Sequence, residues 1–478
     1  MTTAAVVGSG PNGLAAAIRL AHAGIDVTVF EAHARPGGGT RSSELTVPGL
    51  VHDECAAFHP TGVASPFFAS LGLERHGLKW LWPEIDLAHP LDDGRAGLAA
   101  RDRSLTEYSL GQDAHSWHRL FDSATSNFDA LIAEVFQPVA HVPHRPVVLG
   151  RFGMHALAPA TWTARRFRDE PARALFMGVA AHAFSRLDTP LSSSVGMMLT
   201  ATAHAVGWPV AEGGTESITR ALVAELASFG GEVVTGTRIT SMDQLREITG
   251  RKPEIVVLDT APQGVLRIVG DELPSRVRRA LSRYRYGPAA FKLDLAIDGD
   301  IPWINEDCAR AGTVHLGGTA AEIVAVERAT VRGEMAQRPF VLLGQQYLID
   351  PTRSQGSLNP VYAYAHVPHA YTGDATEVII GQIERFAPGF QDRIVATSTR
   401  SPAALETYNA NYVGGDISAG ANTARQIAFR PRVAMNPYEL GMPGVYLCSS
   451  ATPPGAGVHG MGGFHAAERA LAWLRDVP

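Results

Sequence analysis

The fold is decided by the stretch from Ala4 to Arg41, which reads AAVVGSGPNGLAAAIRLAHAGIDVTVFEAHARPGGGTR. Its first four residues form a short apolar run. A helical pattern follows, with apolar side chains recurring on one face until Gly24. The alternating residues Ile25–Phe30 then indicate a second strand. The sequence therefore predicts a compact strand–helix–strand unit.

Three glycines and one carboxylate in this unit have the spacing of a dinucleotide-binding turn. Gly8 permits the tight turn after the first strand, Gly10 lets a pyrophosphate approach the backbone, and Gly13 lets helix and strand pack closely. The helix N-terminus offers unpaired N–H groups to the phosphates. Glu31, at the end of the second strand, is placed to bind ribose hydroxyls. The pattern favours dinucleotide binding over a glycine-rich turn in a generic α/β domain.

The residues after Glu31 narrow the class of dinucleotide. They read AHARPGGGTR and contain the pair Gly38-Gly39, which Thr40 separates from Arg41. The segment resembles the glutathione-reductase-type FAD proteins, in which a Gly-Gly pair follows the acid and wraps the pyrophosphate. In that superfamily an arginine commonly follows the pair directly, whereas here Arg41 stands one residue later. The resemblance implies FAD as the cofactor, with this segment at its pyrophosphate.

A second stretch that carries the resemblance lies near the end of the sequence. Residues 444–452 read GVYLCSSAT, and residues 454–461 read PGAGVHGM. They are similar to the closing motif of the phytoene desaturase group. That group is related to the flavin amine oxidases and includes a branch named for a pyridine nucleotide-disulfide oxidoreductase domain. There the strand end and the helix start meet the ribityl chain and the pyrimidine edge of the flavin. The resemblance implies cofactor contacts from Ser450, Gly457, Val458, His459 and Met461.

The regular α/β pattern returns twice after the first unit. Thr215 can cap a helix that ends at Gly230, and the strand Glu232–Ile239 follows. By the resemblance, this strand contacts the adenine through its backbone near Ile239. The predicted fold class is α/β, with a Rossmann-type, glutathione-reductase-like FAD-binding domain and an inserted α+β substrate domain. The predicted FAD-binding domain covers residues 1–70, 207–262 and 425–478, and the predicted substrate domain covers residues 71–206 and 263–424, with a helical insert at 140–167.

One lysine stands out because the sequence has only three, Lys79, Lys252 and Lys292. Residues 287–294, GPAAFKLD, resemble the strand that in flavin amine oxidases carries a lysine holding a water at flavin N5. A buried ammonium group shifts its pKa down or finds a partner. Lys292 is therefore a candidate catalytic residue. The alternative is an edge-strand lysine paired with Asp294 or Asp298.

Two histidines are candidate acids or bases, because histidine titrates near neutrality. His459 stands in the predicted flavin-proximal turn, and His366 lies in the run 362–368, YAYAHVP. The alternative for both is a satisfied structural histidine. The segment 52–59 also contains four side chains of metal-binding types, His52, Asp53, Cys55 and His59. Their spacing matches no ordinary metal site, so we predict no metal.

The composition excludes several classes of protein. A net charge of −6 argues against nucleic acid as a partner. The three cysteines form no CxxC pair, which excludes a redox dithiol and fits a reducing cytoplasm. No run of about twenty apolar residues indicates a transmembrane helix, although peripheral contact with a membrane stays open. No second GxGxxG motif follows a strand, which makes a dedicated NAD(P)H domain unexpected.

These observations leave three hypotheses for the function. The first is an FAD-dependent dehydrogenase or desaturase that takes hydride from an apolar or amphipathic small molecule, with oxygen, a quinone or a carrier as the acceptor. The second is a flavin oxidase of the amine oxidase type, which produces hydrogen peroxide. The third is a flavin-binding interaction protein without catalysis. Neither the substrate nor the oligomeric state can be predicted from the sequence.

Overall fold

The computed structural model describes residues 2–138 and 141–476. Met1, Val139, Ala140, Val477 and Pro478, which the predicted domains and insert include, lie outside the described residues. The strands are β1 (Thr3–Val7), β2 (Asp26–Phe30), β3 (Ser42–Ser43), β4 (His52–Asp53), β5 (Trp80–Leu81), β6 (Ile85–Pro90), β7 (Ala96–Ala99), β8 (Val210–Ala211), β9 (Glu232–Val234), β10 (Ile255–Leu258), β11 (Ala289–Asp298), β12 (Ala311–Leu316), β13 (Val341–Gly344), β14 (Leu358–Val367), β15 (Ile394–Arg400) and β16 (Val445–Leu447).

Helices surround these strands and connect them. They are α1 (Pro11–His22), α2 (Pro60–Val63), α3 (Pro66–Leu71), α4 (Arg103–Leu110), α5 (Ala114–Ser126), α6 (Phe128–Val135), α7 (Pro146–Ala156), α8 (Ala160–Ala164), α9 (Glu170–Ala181), α10 (Ser193–Ala205), α11 (Glu216–Ser228), α12 (Met242–Thr249), α13 (Pro262–Ile268), α14 (Ser275–Ser282), α15 (Ala320–Val331), α16 (Thr376–Phe386), α17 (Pro402–Tyr408), α18 (Ala424–Ala428) and α19 (Met461–Asp476).

The first layer is a parallel five-stranded sheet in the order β16-β10-β1-β2-β9. Its strands come from three separate parts of the chain, and β1 lies at the centre because it pairs with both β10 and β2. The predicted α/β fold class with a Rossmann-like parallel sheet is confirmed. The third predicted strand is shorter than expected: β9 ends at Val234, and the chain turns at Gly236, whose φ is +67°.

Helix α1 packs tightly against both β1 and α19. A Cβ atom on Gly13 would lie 2.0 Å from the carbonyl oxygen of Gly8, and one on Gly463 would lie 1.8 Å from the carbonyl oxygen of Asn12. Both distances are far below van der Waals contact, so only glycine fits at these two crossings. The close approach brings the start of α1 and the start of α19 to the same edge of the parallel sheet.

The second layer is a mixed seven-stranded sheet in the order β15-β11-β14-β13-β12-β6-β7. Its neighbours pair antiparallel except β12 and β6, which are parallel. The strands of both sheets fall inside the predicted domain ranges, and the domain boundaries themselves stay a prediction. Within residues 2–138 and 141–476, no helix is both long and apolar enough to cross a membrane.

Candidate functional site

A cavity of about 710 Å³ lies between the two sheets. One part of its wall is the edge of the parallel sheet, including Gly8, Gly10 and Glu31. Another part is a face of the seven-stranded sheet, including Thr313, Tyr362 and other side chains. We call the first part the cradle and the second part the chamber. The cavity is continuous, so a ligand held in the cradle can extend into the chamber.

The glycine turn of the cradle has the geometry that its sequence predicts. Gly8 has a φ of +103°, which favours glycine, and its N–H donates to the carbonyl oxygen of Phe30 at 2.8 Å. Gly10 is the N-cap residue of α1 and makes no side-chain cap, and Gly10, Pro11 and Asn12 of this N-terminus line the cavity. This arrangement suits an anion at the helix N-terminus.

Glu31 follows β2 and is fixed in place by three short hydrogen bonds and by a longer contact of its Oε1 with Nη2 of Arg41 at 3.5 Å. Its Oε2 accepts hydrogen bonds from the backbone N–H of Ser9 at 2.9 Å and from the hydroxyl of Ser9 at 2.6 Å. Its Oε1 accepts from the backbone N–H of His33 at 2.8 Å. Oε2 thus accepts two hydrogen bonds already, whereas Oε1 keeps acceptor capacity for a further donor such as a ribose hydroxyl.

The segment after Glu31 folds back over the glycine turn. The N–H of Gly37 donates to the carbonyl oxygen of Ser9 at 3.1 Å. A Cβ atom on Gly38 would lie 2.9 Å from the Cα atom of Gly10, and one on Gly39 would lie 2.2 Å from the hydroxyl of Tyr412. The two glycines therefore allow a close backbone approach that larger residues would prevent. Both line the cavity.

Arg41 reaches the cradle although Thr40 separates it from the glycine pair. Its side chain is 2% exposed, and its Nε donates to the carbonyl oxygens of Arg35 and Pro36 at 3.1 and 3.2 Å. Its Nη1 is buried without a hydrogen-bond partner in the described part of the chain. A buried guanidinium nitrogen without a partner costs free energy. An anionic ligand in the cradle would supply the missing acceptor.

Asp259 is a cradle residue that the sequence motifs did not identify. It follows β10, and its Oδ2 accepts a hydrogen bond from the N–H of Gly13 at 2.9 Å at the start of α1. Burial raises the pKa of Asp259 to about 7, and the nearby charge of Glu31 also raises it, while the N–H groups of Gly13 and Gly10 act in the opposite direction. The signal available in the sequence was an acid directly after an apolar strand, in the run IVVLD.

The segment between β16 and α19, residues 448–460, forms another part of the cradle wall. Ser450, Gly457, Val458 and His459 line the cavity between β16 and α19. The N–H of Met461 donates to Nδ1 of His459 at 3.0 Å, so this ring caps the start of α19. Burial lowers the pKa of His459 to about 4. Its ring is therefore neutral at physiological pH. Met461 lies behind the lining residues.

Two further cradle elements were missed by the sequence analysis. The turn 408–412, YNANY, crosses from the second sheet, and its Tyr412 lies against Gly39. Arg430 is buried and donates to the carbonyl oxygen of Ser450 at 3.3 Å. The clustering of tyrosine and asparagine in 408–412 was the available signal. No motif marked Arg430.

The chamber is lined mainly by apolar and aromatic side chains. Tyr362 and Tyr364 project from the same face of β14, and the hydroxyl of Tyr362 donates to the carbonyl oxygen of Cys55 at 2.5 Å. Such a lining suits an apolar or amphipathic ligand. The apolar and aromatic lining residues are Phe58, Val135, Phe136, Phe152, Phe184, Val195, Met198, Leu199, Trp208, Leu342, Tyr362 and Tyr364.

Lys292 lies behind the chamber wall rather than among the lining residues. It forms a buried ion pair with Asp294, and its Nζ lies 4.4 Å from the ring centroid of Tyr362. Burial lowers the pKa of Lys292, and Asp294 opposes this effect. Burial acts to raise the pKa of Asp294, but Lys292 and His52 outweigh it, so that pKa is lowered. The pairing with Asp294 agrees with the structural alternative, but the expectation of an edge strand is wrong, because β11 lies between β15 and β14. The catalytic role of Lys292 stays a prediction.

His366 also lies outside the lining residues. Its Nδ1 is 2.7 Å from Oε1 of Glu327, and both side chains are fully buried. Its ring centroid lies 3.8 Å from that of Phe184, which separates it from the chamber. The observed partners match a structural histidine. A direct acid or base role for His366 has no geometric support.

The segment 52–59 is held by hydrogen bonds between protein groups. Asp53 pairs with Arg353 at 2.5 Å, and Nε2 of His59 lies 2.9 Å from the hydroxyl of Thr215. Burial lowers the pKa of His59 to about 4. Across the described ranges, no group of three or more His, Cys, Asp or Glu residues is arranged to hold a metal ion.

The structure thus brings most predicted cofactor residues to one cavity. Gly13 lies just behind the turn, where it allows the close packing of α1 on β1. Three further predicted residues, Met461, Lys292 and His366, also do not line the cavity, which makes four with Gly13. The predicted residues that do line it are Gly8, Gly10, Glu31, Gly38, Gly39, Thr40, Arg41, Ile239, Ser450, Gly457, Val458 and His459.

Comparison with known sequences supports this description. Residues 6–71 match the NAD(P)-binding Rossmann-like domain. The chain is 22% identical to the mouse pyridine nucleotide-disulfide oxidoreductase domain-containing protein 2, over 99% of this chain and 94% of that protein. It is 23% identical to the lycopene-forming phytoene desaturase of Pantoea ananas, over the full length of both chains. The predicted resemblance to these two groups is therefore confirmed.

Solved structures show the same fold. Putrescine oxidase superposes with a TM-score of 0.62 at 17% identity, covering 99% of each chain. Cyclohexylamine oxidase from Brevibacterium oxydans superposes with a TM-score of 0.59 at 15% identity, covering 100% of this chain and 99% of that one. The chain is thus similar along its whole length to oxidoreductases, with desaturases among its sequence relatives and amine oxidases among its structural neighbours.

Proposed function

We propose that the chain binds FAD in the cradle and is an oxidoreductase that removes hydride from an apolar or amphipathic small molecule in the chamber. The observation that carries the proposal is the single cavity that joins a dinucleotide cradle to an apolar chamber. The flavin supplies the hydride-accepting chemistry when it is bound, while the protein contributes binding and orientation.

The residues present fit this cofactor. The N-terminus of α1 and the unpartnered Nη1 of Arg41 both suit a pyrophosphate. The carboxylate of Glu31 is fixed in place, and its Oε1 keeps acceptor capacity for a ribose hydroxyl. Gly10 and Gly38 keep the backbone open to close approach. These features are independent of one another, and together they favour a dinucleotide over a smaller anion.

The chamber supports a substrate that is apolar over most of its length. Tyr362, Tyr364 and Phe184 would hold it by burial of apolar surface and would exclude water from the reacting carbon. We favour the dehydrogenase or desaturase hypothesis, with a quinone or a carrier as the acceptor.

The oxidase hypothesis remains the second candidate, because the aromatic side chains of the chamber could also surround an amine. The fold similarity to putrescine oxidase and cyclohexylamine oxidase gives this alternative its motive. It differs from the first hypothesis in the acceptor, because an oxidase passes the electrons to oxygen and releases hydrogen peroxide.

The test is the visible spectrum of the purified protein during anaerobic reduction and after air is readmitted. A flavin spectrum that bleaches, recovers slowly in air and recovers quickly with a quinone supports the first hypothesis. Rapid recovery with stoichiometric hydrogen peroxide supports the oxidase. Bound flavin that no donor and no dithionite reduces reversibly supports a binding protein without catalysis. Protein that neither carries nor takes up FAD overturns the proposal.

We also propose that the surface formed by α7 and α8 contacts a membrane that contains anionic lipid. The chain has no Asp or Glu from residue 141 to residue 168. On this surface Met154 is 68% exposed and Trp162 is 62% exposed, while Phe152 of the same helix α7 lines the chamber. Exposed apolar groups among exposed arginines are typical of interfacial binding. The exposed arginines are Arg145, Arg151, Arg165, Arg166 and Arg168.

A further inference from the structure

Among the polar groups of the chamber is a pair of histidines that the proposed function does not use. His182 follows α9 and lines the chamber beside Trp208, with the two ring centroids 5.3 Å apart. Its Nε2 lies 2.9 Å from Nε2 of His315, which is fully buried on β12. At this distance one of the two nitrogens donates and the other accepts. The protonation of one ring therefore fixes the protonation of the other.

The surroundings of His315 decide which nitrogen donates. Its Nδ1 is buried without a hydrogen-bond partner within the described ranges. This atom faces α9 at Gly178, where an added Cβ would lie 3.0 Å away. A buried N–H without an acceptor is rarer and more costly than a bare lone pair. The proton of His315 therefore belongs on Nε2, where it donates to Nε2 of His182.

The consequence for His182 is a proton on Nδ1. Its Nε2 accepts from His315, so a neutral His182 must carry its proton on the other nitrogen. Burial, and secondarily the nearby His366, lower the pKa of His182 to about 3. No carboxylate in the described part of the chain pairs with either ring of the two, so the pair stays neutral. His182 therefore offers one neutral N–H donor to a chamber that is lined mainly by apolar and aromatic side chains.

We propose that His182 determines the substrate class of the chamber by donating a hydrogen bond from Nδ1 to a neutral oxygen of the ligand, such as a carbonyl oxygen. The proposal rests on the proposed function in one respect, that the chamber holds the substrate. A ligand with an acceptor oxygen at this place satisfies the donor, whereas a plain hydrocarbon leaves it without a partner. The preferred substrate is thus amphipathic rather than wholly apolar.

The first test compares two probes with the same carbon skeleton, butyrophenone and butylbenzene, which differ by one carbonyl oxygen. Dissociation constants are measured by equilibrium dialysis with the purified full-length protein. We expect that the preference of the wild type for butyrophenone falls about fivefold in His182→Phe, which keeps a ring and removes the donor. His182→Asn places an amide N–H near the position of Nδ1 and should retain part of the preference.

Met198→Leu is the matched control, because Met198 lines the same chamber and has no donor. Its ratio of the two dissociation constants should equal that of the wild type. If His182→Phe is folded and keeps the wild-type ratio, the donor role of His182 is wrong. If neither probe binds the wild type, the chamber does not hold apolar molecules and the proposal fails. Binding of both probes by protein that takes up no FAD would overturn the proposed cofactor alone.

The second test needs no ligand. In protein labelled with ¹⁵N-histidine, the signals lost in His182→Phe and in His315→Phe assign the two rings. We expect Nδ1 to be protonated in His182 and Nε2 to be protonated in His315. The reverse assignment would make His182 an acceptor and would overturn the proposal.

Discussion

The cradle and the chamber are two parts of one cavity, yet they are built in different ways. The cradle is formed largely by backbone groups at the start of α1 and by glycines such as Gly10 and Gly38. The chamber is formed by side chains from strands and helices that are far apart in the sequence, such as Thr313 and Tyr362. A site made of backbone tolerates little change in shape, whereas a site made of side chains can change its specificity residue by residue.

The cradle and the chamber also differ in how their buried charges are compensated. The cradle contains Asp259, whose pKa is raised to about 7 by burial, at a helix N-terminus that suits an anion. The chamber has the pair Lys292 and Asp294 behind its wall, where the two charges compensate each other. Removal of the Asp259 charge should therefore strengthen the binding of an anionic ligand in the cradle. Removal of one charge of the Lys292–Asp294 pair should instead destabilise the folded protein.

The largest effect is expected from Lys292→Met. Loss of the ammonium leaves Asp294 buried, with His52 as its remaining ion-pair partner among the described residues, at 3.5 Å. Breaking a buried ion pair by removing one partner costs about 3–5 kcal/mol. We expect a loss of this size in the free energy of unfolding, measured by urea denaturation. The double variant Lys292→Met/Asp294→Asn should recover most of it. A Lys292→Met protein as stable as the wild type but unable to reduce its flavin would instead support the catalytic role.

The next effect tests the cradle through its backbone. In Gly13→Ala the added Cβ would lie 2.0 Å from the carbonyl oxygen of Gly8, and backbone atoms cannot move aside as a flexible side chain can. Overpacking of this kind costs about 1–3 kcal/mol. We expect a lower melting temperature and protein purified without flavin, measured by calorimetry and by absorbance.

Gly381→Ala is the control for this substitution. Gly381 is exposed in α16, and its added Cβ would meet nothing within 4 Å. Alanine is favoured over glycine in a helix by up to about 1 kcal/mol, so this variant should be as stable as the wild type or more stable. Flavin binding at wild-type strength by Gly13→Ala would contradict the assignment of the cradle.

The contrast also explains what the sequence could predict. The turn from Gly8 to Gly13 and the acid Glu31 form a local pattern, because a backbone-built site needs glycine at fixed spacings. Arg41 was expected at the pyrophosphate, and its unpartnered nitrogen fits that role despite the one-residue shift. The parallel sheet followed from the same segment, since a strand–helix–strand unit requires parallel neighbours.

The rest depended on contacts between distant segments. Lys292 and His366 stand on the correct face of the second sheet, but Tyr362 and Phe184 cover them. No sequence pattern indicated His182, because its partner His315 is 133 residues away. Arg430 was missed for the same reason. Strand register and the covering of one side chain by another are properties of tertiary packing, which short motifs do not encode.

A smaller effect is expected from Asp259→Asn. The pKa of Asp259 is raised to about 7, so the carboxyl is neutral below that pH and ionised above it, where it repels a pyrophosphate. Binding of FAD by the wild type should therefore weaken about tenfold between pH 6 and pH 8. The amide keeps an acceptor for the N–H of Gly13 and should remove this dependence. Fluorescence titration of protein freed of flavin measures both.

Asp271→Asn is the control for the loss of an acid, because Asp271 is exposed and lies outside the cavity. Its binding curve should follow that of the wild type at both pH values. Equal affinity of the wild type for FAD at pH 6 and pH 8 would mean that Asp259 keeps one charge state throughout this range. The expectation that loss of a charge strengthens ligand binding in the cradle would then be wrong.

The smallest effect concerns the outer side of the chamber, where α7 and α8 are exposed. Arg165 on this surface is exposed and pairs with no acid among residues 2–138 and 141–476. An arginine near an anionic lipid surface contributes about 1 kcal/mol, so Arg165→Ser should weaken binding to phosphatidylserine-containing vesicles about fivefold in a sedimentation assay. Arg103→Ser is the matched control, because Arg103 is exposed on α4 and pairs with Asp122 at 2.8 Å. Equal binding of wild type and Arg165→Ser, or binding that does not depend on the anionic lipid, would overturn the proposed contact of this surface with anionic lipid. The chamber would then receive its ligand from water, which favours the smaller and more polar substrates that a hydrogen bond from His182 can hold.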